Sequence, residues 1–400
     1  MIKKRILFAG AGPSQTSAII HANTIGYETY AIDENIESPG FKHVAAYDVG
    51  NIRDHNFIIN CAIRYKVDAI VAFSTDVAVP SVARACEALN FPSISVAAAD
   101  ISVNKLLQRN QMQKAGLVTP IFRSFNNKSE ALKGSLDIGF PLVIKPADAS
   151  GSRGVKYIKN ISDLNIAIDN VLSFSPSKCG ILEQYIDGSE ISVEGFVVNG
   201  NLSLLCISEK LRTLPPYLLD TEVLFPDSFS DAKRKAIIDV ANDAIRACGL
   251  NNCPLHMELL ISKNGPVVVE LAARGPGFKV FTDIIPYVTN VDTVKSQIQL
   301  ALNEDMNILP KYPLKSALIK FISPIPGILV GVDGIDEAKK IPGVKDLEIY
   351  VKPGQLMGEL RSGSDRIGHI IVLGKNRKEL KNKKNQAMSL LNFNVKKIKK

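Results

Sequence analysis

No stretch of this 400-residue chain approaches the ~20 consecutive apolar residues that a membrane span needs. The longest apolar runs are about five residues, such as Ala69 to Phe73. No Cys-x-x-Cys occurs: six cysteines (Cys61, Cys86, Cys179, Cys206, Cys248, Cys253) are scattered. Five histidines (His21, His43, His55, His256, His369) form no His-x-x-x-His. Zinc fingers, zincins and disulfide scaffolds are therefore not expected, and a reducing cytoplasm is the default compartment. Internal repeats are absent, and so is low complexity outside a lysine-rich end. Charge of one sign is in small excess, 48 Lys+Arg against 40 Asp+Glu, for a net +8. Much of it sits in Lys375–Lys400, where Lys378, Lys381, Lys383, Lys384 and the final Lys396-Lys-Ile-Lys-Lys400 read as solvated surface. No nucleic-acid partner is expected from it.

What is present is an ordinary globular composition, 46% apolar and 22% charged. A chain of this length divides into roughly two to four domains, which excludes global disorder. The start, Met1-Ile-Lys-Lys-Arg5 before Ile6-Leu-Phe-Ala9, has the outline of a signal peptide. Its apolar part is short and runs into Gly10-Ala-Gly-Pro-Ser-Gln15, so a buried first strand is the better reading. Strand signals (Ile6–Ala9, Glu28–Ile32, Ala69–Phe73) then alternate with helical ones (Gln15–Thr24, Asn56–Tyr65, Val77–Leu89). That alternation predicts a doubly wound parallel sheet. A helix over Ser102–Ala115 stops at Gly116 and Pro120. Closely spaced strands follow at 141–145, 154–158, 181–185, 191–198 and 202–207, with helices at 162–172 and 231–248. A hairpin spans His256–Leu271, a helix follows at 291–302, and a strand–helix–strand pattern runs from Ser316 to Leu373.

Two stretches compete as the site. Gly10-Ala-Gly12 after the first strand, with Asp33 ending the second, has the outline of a dinucleotide turn with its ribose acid. Gln15 stands where the third glycine belongs, so a Rossmann-like domain without dinucleotide is the stronger reading. The other stretch is Phe140-Pro-Leu-Val-Ile-Lys145, a buried strand that delivers a lysine, followed by Ser150-Gly151-Ser152-Arg153-Gly154. Small residues let backbone N–H groups approach phosphate oxygens, and Lys145 adds a point charge.

The hairpin Leu259-Leu-Ile-Ser-Lys-Asn264-Gly-Pro-Val-Val-Val-Glu270 carries the most chemistry. A turn centred on Asn264 places Glu258 directly opposite Glu270, with Cβ atoms roughly 5 Å apart. Opposed carboxylates in apolar strands repel. A divalent cation would remove the conflict, and so would a lysine partner or a proton. Arg274 lies at the end of the second strand, placed to reach a phosphate or an acyl intermediate.

Together these residues resemble the ATP-grasp superfamily along nearly the whole chain. Ala11-Gly12-Pro13, Gly26 to Asp33 and Phe73-Ser-Thr-Asp76 resemble the pre-ATP-grasp domain of carboxylate–amine ligases. Gly343-Val-Lys-Asp-Leu, Gly354 and Arg366-Ile-Gly368 resemble the C-terminal domain of L-amino-acid ligases. The resemblance implies an α/β fold, α+β in parts. It would have a Rossmann-like domain at 1–103, an ATP-grasp domain at 104–305 with a lid near 118–182, and a small α/β domain at 306–400. It also implies that Lys105 and Lys145 hold nucleotide phosphates and that Ser150, Gly151, Ser152 and Gly154 close over them. Glu183, Gln184, Tyr185 and Ile186 would form the adenine hinge, and Glu190 would hold ribose. Glu258 and Glu270 would ligate Mg²⁺ or Mn²⁺, with Arg274 and Lys145 catalytic. One position departs from the family pattern: Ala272 stands where an asparagine ligand is usual.

The expected activity is ATP-dependent amide formation from small-molecule carboxylate and amine substrates through an acylphosphate, with ADP and phosphate released. A carboxylase or carbamoyl-phosphate-synthase-like enzyme is the alternative of the same superfamily. A dehydrogenase at the N-terminal turn and a non-catalytic nucleotide binder are the others. No membrane partner is expected, and a homodimer is left open. Lys210, Arg212 and residues 275–282 are expected to border the acceptor, and His256 is the one candidate base.

Overall fold

The computed structural model describes residues 3–397. Four parallel strands open the chain: β1 (Arg5–Ala9), β2 (Glu28–Asp33), β3 (Ala46–Val49) and β4 (Ala69–Val71), in the order β3-β2-β1-β4. Ile6, Leu7 and Phe8 in β1 are fully buried between β2 and β4, as a strand covered by helices on both faces requires. Met1 and Ile2, the start of the signal-like segment, lie outside the described residues.

The dinucleotide reading fails at this first turn. Asp33 Oδ2 accepts the Ala11 N–H at 2.7 Å and its Oδ1 accepts Asn35 N–H at 2.9 Å. Gln15, in the vacated glycine position, donates to the Phe73 carbonyl at 2.6 Å. The acid that would hold a ribose is instead used to shape the loop.

The expected helix over 102–115 is two helices, Val96–Ser102 and Lys105–Lys114, separated by Asn104, whose side chain caps the second. A small antiparallel sheet follows, of β5 (Phe122–Phe125), β6 (Leu142–Pro146), β7 (Lys156–Ile158) and β8 (Gly180–Gln184), in the order β5-β8-β6-β7. Helices Lys128–Ile138 and Ile161–Phe174 pack on it. The next strands are β9 (Ser189–Val198), β10 (Asn201–Arg212), β11 (Asp220–Phe225), β12 (Cys253–Ser262) and β13 (Gly265–Ala272). The last part of the chain adds β14 (Ser316–Ile322), β15 (Gly327–Asp333), β16 (Val344–Ile349), β17 (Leu356–Met357), β18 (Gly368–Gly374) and β19 (Asn392–Lys396).

Eight of these strands form one sheet, ordered β13-β12-β9-β10-β11-β14-β18-β16. The sheet therefore crosses the boundary expected near residue 305. One apolar core links Ile6, Phe8 and Phe73 of the first segment to Phe196 and Ile319 of this sheet and to Phe281 of the helical turn Val280–Ile284. The tail is not simply solvated surface. Residues Arg377–Leu390 form a helix that buries Leu380 and Ala387, and β19 pairs with β15. Lys384 reaches Glu222 at 3.0 Å. Residues 398–400 of the lysine run lie outside the described residues.

Candidate active site

The hairpin turn is two residues, Lys263-Asn264, because Ser262 pairs with Gly265 and Leu259 with Val268. Continued unchanged, that register would set Glu258 against Val269. A bulge between Glu258 and Leu259 shifts it by one, and Glu258 pairs with Glu270 after all. The expected opposition is present, although the turn expected to create it is offset. His256 pairs with Ala272, and β9 supplies Glu190 and Glu194 beside them on the same sheet.

Two lysines resolve the carboxylate conflict. Lys105 Nζ pairs with Glu270 Oε2 at 2.7 Å and donates to the Ala149 carbonyl at 2.8 Å. Lys210 lies among Glu190 at 3.1 Å, Asp220 at 3.2 Å and Glu258. Burial alone would lower the Lys105 ammonium; Glu270 outweighs it and holds it above its ordinary value. Burial likewise opposes ionisation of Glu258, but Lys210 and His256 hold that carboxyl well below the usual range. Burial raises the Glu190 carboxyl to about 7 even with Lys210 beside it. The oxygens of Glu190, Asp220 and Glu258 lie within 4.8 Å of one another, an all-carboxylate set that suits a hard divalent cation.

The cleft between the small sheet and the large one gathers nearly the whole expected nucleotide set. Lys105, Lys145, Ser150, Gly151, Ser152, Glu183, Gln184, Tyr185, Ile186, Glu190, Glu258 and Glu270 all line it. Gly154 does not; its positive φ of 75° turns the loop, where a Cβ would meet Pro146 at 3.0 Å. The Gln184 and Tyr185 N–H groups donate to the carbonyls of Ile121 (2.8 Å) and Pro141 (3.3 Å). The Glu183 side chain has a separate task. It pairs with Lys145 at 2.6 Å and with Arg109 Nε at 2.8 Å, all three nearly inaccessible. Burial would raise the Glu183 carboxyl, but two cations hold it below its usual value. Burial lowers the Lys145 ammonium, and only this one shared carboxylate opposes it.

Arg274 does not line the nucleotide cleft. Its Nε and one terminal nitrogen grip Asp76 at 2.7 and 2.8 Å, joining the large sheet to the N-terminal domain. Arg212 lines the nucleotide cleft and pairs with Glu190, and Lys210 lies beside it. The His256 ring is paired with Glu194 and lies 3.7 Å from Glu258. Burial would lower its pKa, but Glu194, 2.9 Å from Nδ1, lifts it to about 9.

Sequence reading missed Arg109, Asp220 and Glu194. Arg109 had a signal, since it lies one helical turn after Lys105 and shares its face. A second cavity opens on the far side of Lys105, Ala149, Ser150 and Glu270, and these four residues also line the nucleotide cleft.

Residues 138–283 match the ATP-grasp domain family, and residues 320–396 match the L-amino acid ligase C-terminal domain 2 family. An uncharacterized protein of Sinorhizobium fredii is 29% identical over 301 residues, covering 74% of this chain and 62% of that protein. The alanine–anticapsin ligase of Bacillus subtilis is 27% identical over 255 residues, covering 57% of this chain and 52% of the relative. The chain thus spans between half and two thirds of these curated relatives. The crystal structure of an L-amino acid ligase from Bacillus licheniformis superposes with a TM-score of 0.83 at 22% identity, covering 99% of each chain. That likeness establishes the fold.

Proposed function

We propose that this chain, which carries an ATP-grasp domain and an L-amino acid ligase C-terminal domain, is an ADP-forming carboxylate–amine ligase. The observation that supports it most is the meeting of two cavities at Lys105, Ser150 and Glu270, one fitted to a nucleotide and one to an acceptor. In the first step a substrate carboxylate oxygen attacks the γ-phosphorus of ATP and the bond to the β-phosphate oxygen breaks, giving an acylphosphate and ADP. In the second, an amine nitrogen attacks the acyl carbon. The C–N bond forms, the C–O bond to phosphate breaks, and the nitrogen gives up a proton to solvent.

Lys145 and Lys105 neutralise phosphate charge from fixed positions, so catalysis rests on positioning and preorganised charge. Glu183 and Arg109 hold Lys145 in place. The Ser150–Gly154 loop closes over the phosphates and keeps water from the acylphosphate. Glu258 and Glu270, each paired with a lysine here, would hold Mg²⁺ or Mn²⁺ in exchange for those ammonium groups. A bound cation would add further neutralisation of phosphate charge. Ile186 and its neighbours would seat adenine, and Glu190 would reach the ribose. A cytoplasmic location belongs to this reading. Among the described residues no helix is long and apolar enough to cross a membrane, and all six cysteines are free.

The test is turnover with MgATP across a panel of acids and amines. ADP and phosphate should form, and hydroxylamine should trap the activated acid as a hydroxamate. AMP and pyrophosphate would overturn the reading.

A further inference from the structure

The walls of the second cavity that the nucleotide cleft does not share come from the N-terminal domain, the lid and the large sheet, which supplies Leu271 and Ala272. Arg53, Val77 and Pro80 belong to the N-terminal domain; Arg153, Phe174 and Pro176 belong to the lid. Three acids line the cavity, and each is already engaged. Asp76 chelates Arg274 at 2.7 and 2.8 Å. Glu270 pairs with Lys105 at 2.7 Å. Asp148 accepts from Ser175 Oγ at 2.5 Å and from the Ser177 N–H at 3.0 Å. The arginines are not so engaged. Among the described residues neither Arg53 nor Arg153 forms an ion pair, and Arg153 Nε donates to the Ser150 carbonyl at 3.1 Å. Asp148 keeps its charge, because both its partners are neutral. The unpaired charges are therefore Arg53 and Arg153 against Asp148, a surplus of one positive charge. Arg153 lies at the junction through Ser150, whereas Arg53 lines only the second cavity. Val77, Val103, Leu271 and Phe174 supply an apolar lining.

We propose that this cavity takes the acid substrate, and that the acid carries a second anionic group. The reacting carboxylate lies at the junction beside Lys105 and Ser150. A short aliphatic segment crosses the apolar lining, and the second anion is held by Arg53. The substrate class is a dicarboxylic acid or an acidic amino acid rather than a neutral one. A guanidinium recognises a carboxylate through paired N–H donors, and a mouth open to solvent makes that recognition sensitive to salt. This inference rests on the ligase reading above.

The experiment is hydroxamate formation with MgATP on matched pairs: succinate against butyrate, glutarate against valerate, glutamate against norvaline. Each dianion should exceed its neutral partner in kcat/KM by about tenfold or more, near 1.4 kcal/mol, and the advantage should shrink at high salt. Arg53→Ala should raise KM for the dianion several-fold. KM for ATP and for the neutral acid should stay unchanged. Equal use of dianion and neutral acid would overturn the inference and leave the ligase reading standing. So would an unchanged KM for the dianion in Arg53→Ala. If no acid yields ADP while calorimetry shows MgATP bound, the ligase reading falls, and this inference falls with it.

Discussion

Lys105 and Lys210 change what a mutation at the opposed glutamates should do. Repulsion alone says that Glu270→Gln relieves strain in the metal-free hairpin. With Lys105 paired to Glu270 and only 11% exposed, the same change strands a largely buried ammonium. Glu270→Gln should therefore lower stability without metal by ~1–3 kcal/mol. That is less than the ~3–5 of a fully buried pair, because the Ala149 carbonyl remains as an acceptor. Denaturant titration in a chelator measures it. Lys145→Met should cost on the order of 10² to 10³ in kcat. The fold should persist, since Glu183 keeps Arg109; single-turnover ADP formation and circular dichroism check the two halves. Ala272 lies buried opposite His256 on the strand of Glu270, so Ala272→Asn should lower the free Mg²⁺ needed for half-maximal ADP formation. The glutamate pair was read from a turn centred on Asn264. The register set by the actual turn is offset by one residue, and a bulge between Glu258 and Leu259 that the sequence does not announce restores the pairing. The partners of Glu183 and His256 were not legible, because Arg109 and Glu194 lie 74 and 62 residues away from them in the chain.

At the scale of elements, the hairpin depends on Gly265, whose φ of 114° no L side chain adopts without strain. Gly265→Ala should cost ~1–3 kcal/mol and lower Tm. It should also lower activity, because the turn sets the register that delivers Glu270. The helix Arg377–Leu390 makes the opposite point. Leu380 is fully buried, so Leu380→Ala should destabilise by ~2–5 kcal/mol. Exposed Lys381→Gln on the same helix should stay within ~0.5 kcal/mol. Thermal melts of the two variants separate a packed helix from a solvated tail. That helix was hard to read because it buries only Leu380 and Ala387, too sparse a stripe to show among its lysines. The first parallel sheet was easier at β1 and β4, which are short apolar runs bounded by turns; β3, half exposed and carrying Asp48, was not read.

Over the whole molecule, the bridge between Asp76 and Arg274 ties the N-terminal domain to the catalytic sheet. Burial would raise the Asp76 carboxyl, but Arg274 and Lys105 hold it below its usual value. A carboxyl lowered on folding contributes stability that is present above its unfolded value, ~3.9, and lost as pH falls through its folded one. Asp76→Asn should therefore be less stable at neutral pH and show a shallower loss of stability below about pH 4. Melts across that range follow it. The continuity of the large sheet across the boundary expected near residue 305 was not legible, because β11 and β14 meet across about ninety residues of chain. That continuity bears on how the molecule can be divided. A cut in the connection between Ala301 and Ser316 would yield two pieces whose bare rims, β11 on one and β14 on the other, are made for each other. Such halves are a ready-made complementation pair, able to restore the continuous sheet when co-expressed. Apart, each would carry an open row of backbone donors and acceptors and would stack on its own copies.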